Sequence, residues 1–397
     1  MLAVAEVVVF HAPLCELLGI EAPVIGAPFG PWDEVALAAS ICRAGGLGSL
    51  GTAARTVDEL RHQWSRLREL TDRPFAINHT MRPFSEEAFE ATLEERPTAI
   101  SFHLAVPGDL IERAHAAGIR WIQQVTDAHQ AAQALDAGTD VIIAQGGEAG
   151  GHGGDVSTLV LVPQVVDMAG DTPVVAAGGI ADGRGVAAAF VLGAQGVAMG
   201  TRFLASTEMN ISDDWKQRIV GADAVDAVKV LNSERILPPY SRPESYGIPR
   251  ALRTELVDTL RHHPEQVKED VVPRLMEFIS RGRGDEFLPF TGQSAALVRD
   301  VLPRVNCCAG SCGRRSTSSL REPRKLRTIA IRVDDVDGGR GPSDSEGPPS
   351  GFGGPSPACC RLTDPQRTSG WGRTRFPPAC PRWRRRRSGR SHRTGRR

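Results

Sequence analysis

Between residues 23 and 203 the chain passes eight times from a short apolar run to a segment of helical character. The apolar runs fall at 23–27, 46–50, 75–78, 99–103, 120–125, 140–144, 173–177 and 196–199. They are short and apolar throughout, as strands buried on both faces must be. Helical segments follow at 33–43, 56–69, 86–95, 108–117, 127–137, 157–168 and 183–192, with Asp33 offering an N-cap to the first. Eight successive β-then-α units predict an α/β fold, a closed (β/α)8 TIM barrel over 11–208. An open doubly wound sheet is the competitor, but it usually needs fewer repeats.

The rhythm stops after the eighth run. Residues 209–290 are richer in charge and lack strand-like runs, so they read as a helical cap or substrate domain over one barrel end. Helices are expected there at 212–219, 222–230, 250–262 and 264–280, and a further helix returning to the barrel at 291–303.

The formal charge of zero hides two unlike parts. Residues 306–397 carry 21 basic and 7 acidic residues, which leaves 26 basic and 40 acidic residues for the body. Residues 304–397 are dominated by Gly, Pro, Ser and Arg and are expected to be disordered. Such a composition arises when a GC-rich gene is read out of frame, and a frameshifted, non-native tail is the preferred reading. A polyanion-binding arm and a cysteine metal site compete with it. Against the metal, the adjacent pairs Cys307-Cys308 and Cys359-Cys360 fit no zinc spacing. The body holds only Cys15 and Cys42, which indicates a reducing compartment. With neither a signal peptide nor a membrane-length apolar stretch, a cytoplasmic location is expected. Neither nucleic acid nor membrane is an expected partner, and the oligomeric state is open.

A barrel places its chemistry at the C-terminal ends of its strands. The richest of those ends is the loop after the sixth run, Gln145-Gly146-Gly147-Glu148-Ala149-Gly150-Gly151-His152-Gly153-Gly154. Gln145 can donate and accept at the edge of a ring, as can Asn78 at the third strand end; a satisfied strand-end amide explains either equally well. His152 is the titratable group of the loop, and its glycine neighbours offer the ring no packing. His79 and His103 end strands as well and rank behind it as substrate-pocket candidates. Two successive glycine turns, Gly178-Gly179 after the seventh strand and Gly200-Thr201 after the eighth, have the form of a phosphate site. Tight turns alone would also account for them. No His/Cys/Asp/Glu cluster has metal-ligand spacing, so no metal is expected.

These motifs bring a family into view. The body, from about residue 11 to 302, resembles the nitronate monooxygenases, FMN-dependent (β/α)8-barrel enzymes formerly called 2-nitropropane dioxygenases. The resemblance rests on Ala27-Pro28, Ala44-Gly45-Gly46-Leu47-Gly48, Gln145-Gly146 with Glu148-Ala149-Gly150-Gly151-His152, Ala177-Gly178-Gly179-Ile180 and Met199-Gly200-Thr201-Arg202-Phe203. The glutamate-to-histidine motif is shared with a sister group, the flavin-dependent enoyl-acyl-carrier-protein reductases. The resemblance implies that Ala27, Pro28 and Phe29 border the flavin and that Asn78, Gln145 and Gly150 contact FMN. It places Gly178, Gly179, Met199, Gly200 and Thr201 around the phosphate and His152 against flavin and substrate. Phe29 departs from the methionine that many members carry after Ala-Pro. The implied reaction is oxidation of alkyl nitronates, and of nitroalkanes, by O2 to a carbonyl compound and nitrite. The alternatives are a flavin-dependent NAD(P)H reductase of an enoyl thioester or quinone, and a non-enzymatic polyanion binder acting through the tail.

Overall fold

The structure, a computed structural model, describes residues 12–81, 84–103, 105–237, 247–268, 270–280 and 288–302. The tail at 304–397 therefore lies outside the described residues.

The eight expected strands are present: β1 Val24–Gly26, β2 Gly48–Gly51, β3 Phe75–Thr80, β4 Ala99–His103, β5 Arg120–Val125, β6 Val141–Gln145, β7 Val174–Ala177 and β8 Gly196–Met199. All pair in parallel with their sequence neighbours, and β1 pairs with β8. Gly26 N–H donates to Leu47 O at 2.9 Å and Leu47 N–H to Val24 O at 2.9 Å, which closes β1 onto the start of β2. A TIM barrel results. Seven outer helices follow β1 to β7: α2 Val35–Arg43, α3 Val57–Leu70, α4 Glu86–Glu95, α5 Gly108–Ala116, α6 Ala128–Asp136, α7 Thr158–Ala169 and α8 Gly183–Val191. Side chains fix several of their starts, as where the Thr56 hydroxyl and the Glu59 carboxylate cap α3 reciprocally.

The period of two along each strand decides what enters the barrel. Val141 and Ile143 of β6 join the interior cluster with Leu47, Ala76, Ile122 and Val175. Ile142 and Ala144 face the helices instead. Helix α1, Pro13–Leu18, was not anticipated; its Leu14, Cys15 and Leu18 belong to the interior cluster and floor the barrel. Six residues are too few to give a helical period in sequence.

Beyond the barrel three elements differ from expectation. The segment expected to be helical at 222–230 forms a 3-10 turn, Ala224–Asp226, followed by strand β9, Ala227–Lys229. Strand β10, Arg250–Leu252, pairs antiparallel with β9, so helix begins later than 250, in Glu255–His262. The Val228 and Val230 flanks of Lys229 suit a strand, and pairing with β10 overrides the helical reading. At 291–303 the described residues hold only a 3-10 helix, Gln293–Leu297. Its backbone is engaged elsewhere: Gln293 N–H donates to Glu148 O at 2.9 Å and Leu302 N–H to Ala205 O at 3.4 Å. Helices α9 Thr201–Leu204, α10 Asp213–Gly221, α11 Glu255–His262 and α12 Val271–Ser280 complete the described α-helices. No helix of the described residues is long and apolar enough to cross a membrane.

Candidate active site

A cavity of about 290 Å³ opens at the C-terminal ends of the strands. Its wall has two unlike halves. The exits of β7, β8 and β1 present small residues, among them Ala177, Gly178, Gly179, Ala198, Gly200 and Ala27. The exits of β2 to β6 present Ser49, Asn78, Ser101, Gln124 and Gln145. No charged carboxylate, ammonium or guanidinium side chain lines it among the described residues.

Strand parity selects the polar half. Asn78 and Thr80 of β3 point inward, and Asn78 Nδ2 donates to Ser101 Oγ at 3.0 Å and to Ser101 O at 3.2 Å. His79, between them, points outward. It is buried against Phe84 and Phe89, with Nδ1 3.3 Å from Thr52 Oγ1 and Nε2 2.9 Å from Thr92 Oγ1. His79 is thus a core histidine rather than a pocket residue; burial lowers its pKa to about 3. His103 does face the cavity.

The glycine loop is held from every side. Gln145 Nε2 donates to His152 O at 3.2 Å, and its Oε1 accepts from Gln124 Nε2. His103 Nε2 donates to the same carbonyl at 3.3 Å, which fixes the proton on Nε2 and leaves Nδ1 without a partner among the described residues. Burial lowers the His103 pKa to about 4. The Gln145 amide is thus engaged within the protein on both its donor and acceptor sides. Glu148 turns from the cavity to the start of α7: Thr158 N–H donates to its Oε2 at 2.9 Å and Thr158 Oγ1 at 2.8 Å. A carboxylate at a helix N-terminus satisfies donors that the helix cannot. Gly150 lies so close to the chain at Thr291 and Gly292 that a Cβ would sit 2.7 Å from Gly292 N.

His152 itself reaches the cavity beside Phe290, with ring centroids 6.1 Å apart. Burial lowers its pKa to about 3, and the nearby His103 and Lys229 act in the same direction. The imidazole is therefore neutral across the physiological range.

Across the cavity Gly178 and Gly179 adopt φ of 97° and 72°, the left-handed region that glycine enters freely. Gly200 precedes α9, and Thr201 Oγ1 accepts the Gly292 N–H at 2.9 Å. The Thr201 hydroxyl keeps its own proton to donate. The Met199 side chain lies in the core between barrel and helices, and its carbonyl accepts the Ala27 N–H at 2.9 Å. It is absent from the cavity wall, because inward and outward positions alternate and Ala198 takes the inward one.

Sequence reading missed Trp32, Trp215, Phe290 and Ser294, which also line the cavity. Trp32 and Trp215 pack with centroids 5.2 Å apart, and Trp215 Nε1 donates to Thr291 Oγ1 at 3.0 Å. These residues come from segments far apart in the chain, and no local pattern marks them.

A family model of nitronate monooxygenases matches residues 11–88 and 85–266. The chain belongs to the nitronate monooxygenase family. A nitronate monooxygenase of Pseudomonas aeruginosa is 32% identical over 339 residues, covering 72% of this chain and 94% of the relative. A (3aS,4S,5R,7aS)-5-hydroxy-7a-methyl-1-oxo-octahydro-1H-indene-4-carboxyl-CoA dehydrogenase of Mycobacterium tuberculosis is 39% identical over 256 residues, covering 63% of this chain and 68% of the relative. The solved structure of FabK from Thermotoga maritima is 34% identical and superposes with a TM-score of 0.66 over 75% of this chain and 93% of that one. This nitronate monooxygenase family member is a flavin-dependent oxidoreductase that acts on small molecules.

Proposed function

We propose that this family member binds FMN and oxidises alkyl nitronates with O2, yielding a carbonyl compound and nitrite. The observation that carries the reading is the division of the cavity wall. A wall of glycine and alanine lets a flat ring and a phosphate approach the backbone, and the amide and hydroxyl wall opposite offers hydrogen bonds to a polar ring edge.

The residues fit the cofactor. Gly179 and Gly200 line the cavity without a side chain to fill it, the Thr201 and Arg202 N–H groups that open α9 have no intrahelical acceptor, and Thr201 has a hydroxyl proton to give. Ala27, Pro28 and Phe29 would border the ring, with Asn78 near its polar edge and Gln145 behind the loop. Gly150 would serve by letting the loop pack on Gly292. Bound FMN would supply the electron acceptor and the route to dioxygen.

The chain's own contribution centres on His152. A neutral imidazole carries one N–H, which can donate to a nitronate oxygen and orient the anion in a site without competing charge. An imidazole held neutral by burial is a weak base, so the site suits the preformed nitronate better than the neutral nitroalkane, whose α-proton must be removed first. Under this reading kcat/KM for a nitronate exceeds that for its parent nitroalkane by orders of magnitude, and equal values overturn it.

A second reading, NAD(P)H-dependent reduction of an enoyl thioester or quinone, draws support from the 39% identity to the dehydrogenase and the 34% identity to FabK. Anaerobic mixing of the flavin-loaded protein with NADH and, separately, with a nitronate divides the two. Rapid bleaching by NADH alone selects the reductase; bleaching by the nitronate alone selects the oxidation.

A further inference from the structure

Glu34 is a buried carboxylate, 1% exposed, that occupies the cap position before α2 but does not cap it. Its two oxygens hold two different strand exits. Gly51 N–H, at the end of β2, donates to Oε1 at 2.6 Å, and Phe29 N–H, beyond β1, donates to Oε2. Phe29 and Gly51 both line the cavity. Arg55 grips the same wall, with Nη1 on Gly51 O at 3.0 Å and Nη2 on Pro31 O at 2.9 Å. The charged groups facing Glu34 are Arg55 and Asp33, and Asp33 is itself paired at 3.0 Å with Arg66 of α3.

We propose that Glu34 is a positioning residue whose carboxylate staples the β1 exit to the β2 exit, that this staple holds the flavin-facing wall, and that uptake of a proton opens it. The inference rests on the flavin site described above. Its physical basis is the donor set. Each oxygen accepts one backbone N–H, and a carboxylate can accept both well. A protonated carboxyl keeps one good acceptor and must place its own O–H against neighbours that are donors, so one of the two attachments is lost.

Ionisation is set by two opposed effects. Burial raises the Glu34 pKa, the two backbone N–H groups and Arg55 pull it down, and the balance lies at about 7. The carboxylate form, and with it the closed wall, prevails above that value and gives way below it. A group that merely filled space would leave no reversible titration in ligand affinity.

The test measures FMN affinity by quenching of flavin fluorescence at pH 8 and pH 6, in the wild type and in Glu34→Gln. The wild type should bind about tenfold more weakly at pH 6 and recover on return to pH 8. The variant, which cannot ionise, should bind weakly at both values with no titration. A flat wild-type profile, or an unchanged slope in the variant, overturns the proposal. If FMN binds at no pH, the flavin reading fails, and a second readout still decides this one. Trp32 sits between Phe29 and Glu34 and packs on Trp215. The emission difference between wild type and Trp32→Phe should shift reversibly with a midpoint near 7, and constant emission overturns the staple. Should Glu34→Gln fail to fold, the Trp32 difference titration, which needs no substitution at Glu34 and no FMN, still decides.

Discussion

Gly151 and Arg250 exchange both backbone hydrogen bonds, at 3.1 and 2.9 Å, so a single antiparallel bridge ties the loop carrying His152 to β10 of the small β9–β10 sheet. The side chains of that sheet complete the hold. Arg250 Nη2 donates to Gly147 O at 2.8 Å, and the Lys229 ammonium donates to Gly153 O, Gly154 O and Ile248 O at 3.0, 2.8 and 3.0 Å. A loop made largely of glycine has few side chains with which to anchor itself, so its position is imposed from outside.

Lys229→Met removes three of those bonds and keeps the apolar stem. Under the proposed flavin site, flavin content should remain, since the wall proposed for the cofactor is formed elsewhere, while turnover falls roughly ten- to a hundredfold because His152 is no longer held in register. Absorbance of the purified variant and steady-state rates check both halves. Full activity would mean that the Gly151–Arg250 pairing alone is enough.

His152→Ala should retain FMN and lose most turnover. In the wild type, with flavin saturating and a preformed nitronate as substrate, kcat/KM should display no ionisation of His152 between pH 5 and 8, because its pKa in the free protein is about 3. A bell-shaped profile that disappears in the variant would contradict the neutral imidazole.

Acid should destabilise the fold before it protonates the site. His79, His103 and His152 have pKa values lowered by burial to about 3, 4 and 3. Once unfolded, each takes a proton below about 6.5. Their contribution to stability is present above that value and is lost as pH falls toward the folded values. Glu34, raised to about 7, acts oppositely and offsets one histidine. The net expectation is a loss of about 2 kcal/mol between pH 6.5 and 5.5. Urea denaturation at the two pH values measures it, and His79→Phe should flatten the dependence without touching the cavity.

Thr201→Val leaves the buried Gly292 N–H without its acceptor. The cost should be about 1–3 kcal/mol of stability. Under the proposed phosphate contact, FMN affinity should fall as well, since the donated hydroxyl proton is gone. Thr201→Ser, which restores the hydroxyl, should recover both, and thermal melts with and without FMN separate the two effects.

Much of this site is legible in the chain. His152, Gln145, Asn78 and the two glycine turns could be placed at strand ends from the β/α rhythm alone, and all of them meet at one cavity. The side chains of His79 and Met199 turn away from the cavity for a single reason. A strand end can be located in sequence, but the face that a residue presents depends on register, and one step along a strand reverses it. The same limit explains 222–230, where a partner strand 20 or so residues later converted a helical pattern into β9.

The sequence by itself determined the barrel and the glycine loop after its sixth strand, because burial on two faces writes continuous apolar runs and close backbone approach demands glycine at fixed places. Only the tertiary structure decided how the loop is held and what charge its histidine bears. Lys229, Arg250, Glu34 and the Trp32–Trp215 pair act on the site from distant segments. Burial and hydrogen-bond donors set the ionisation of Glu34 and His152, and both are properties of packing that no local stretch of residues contains.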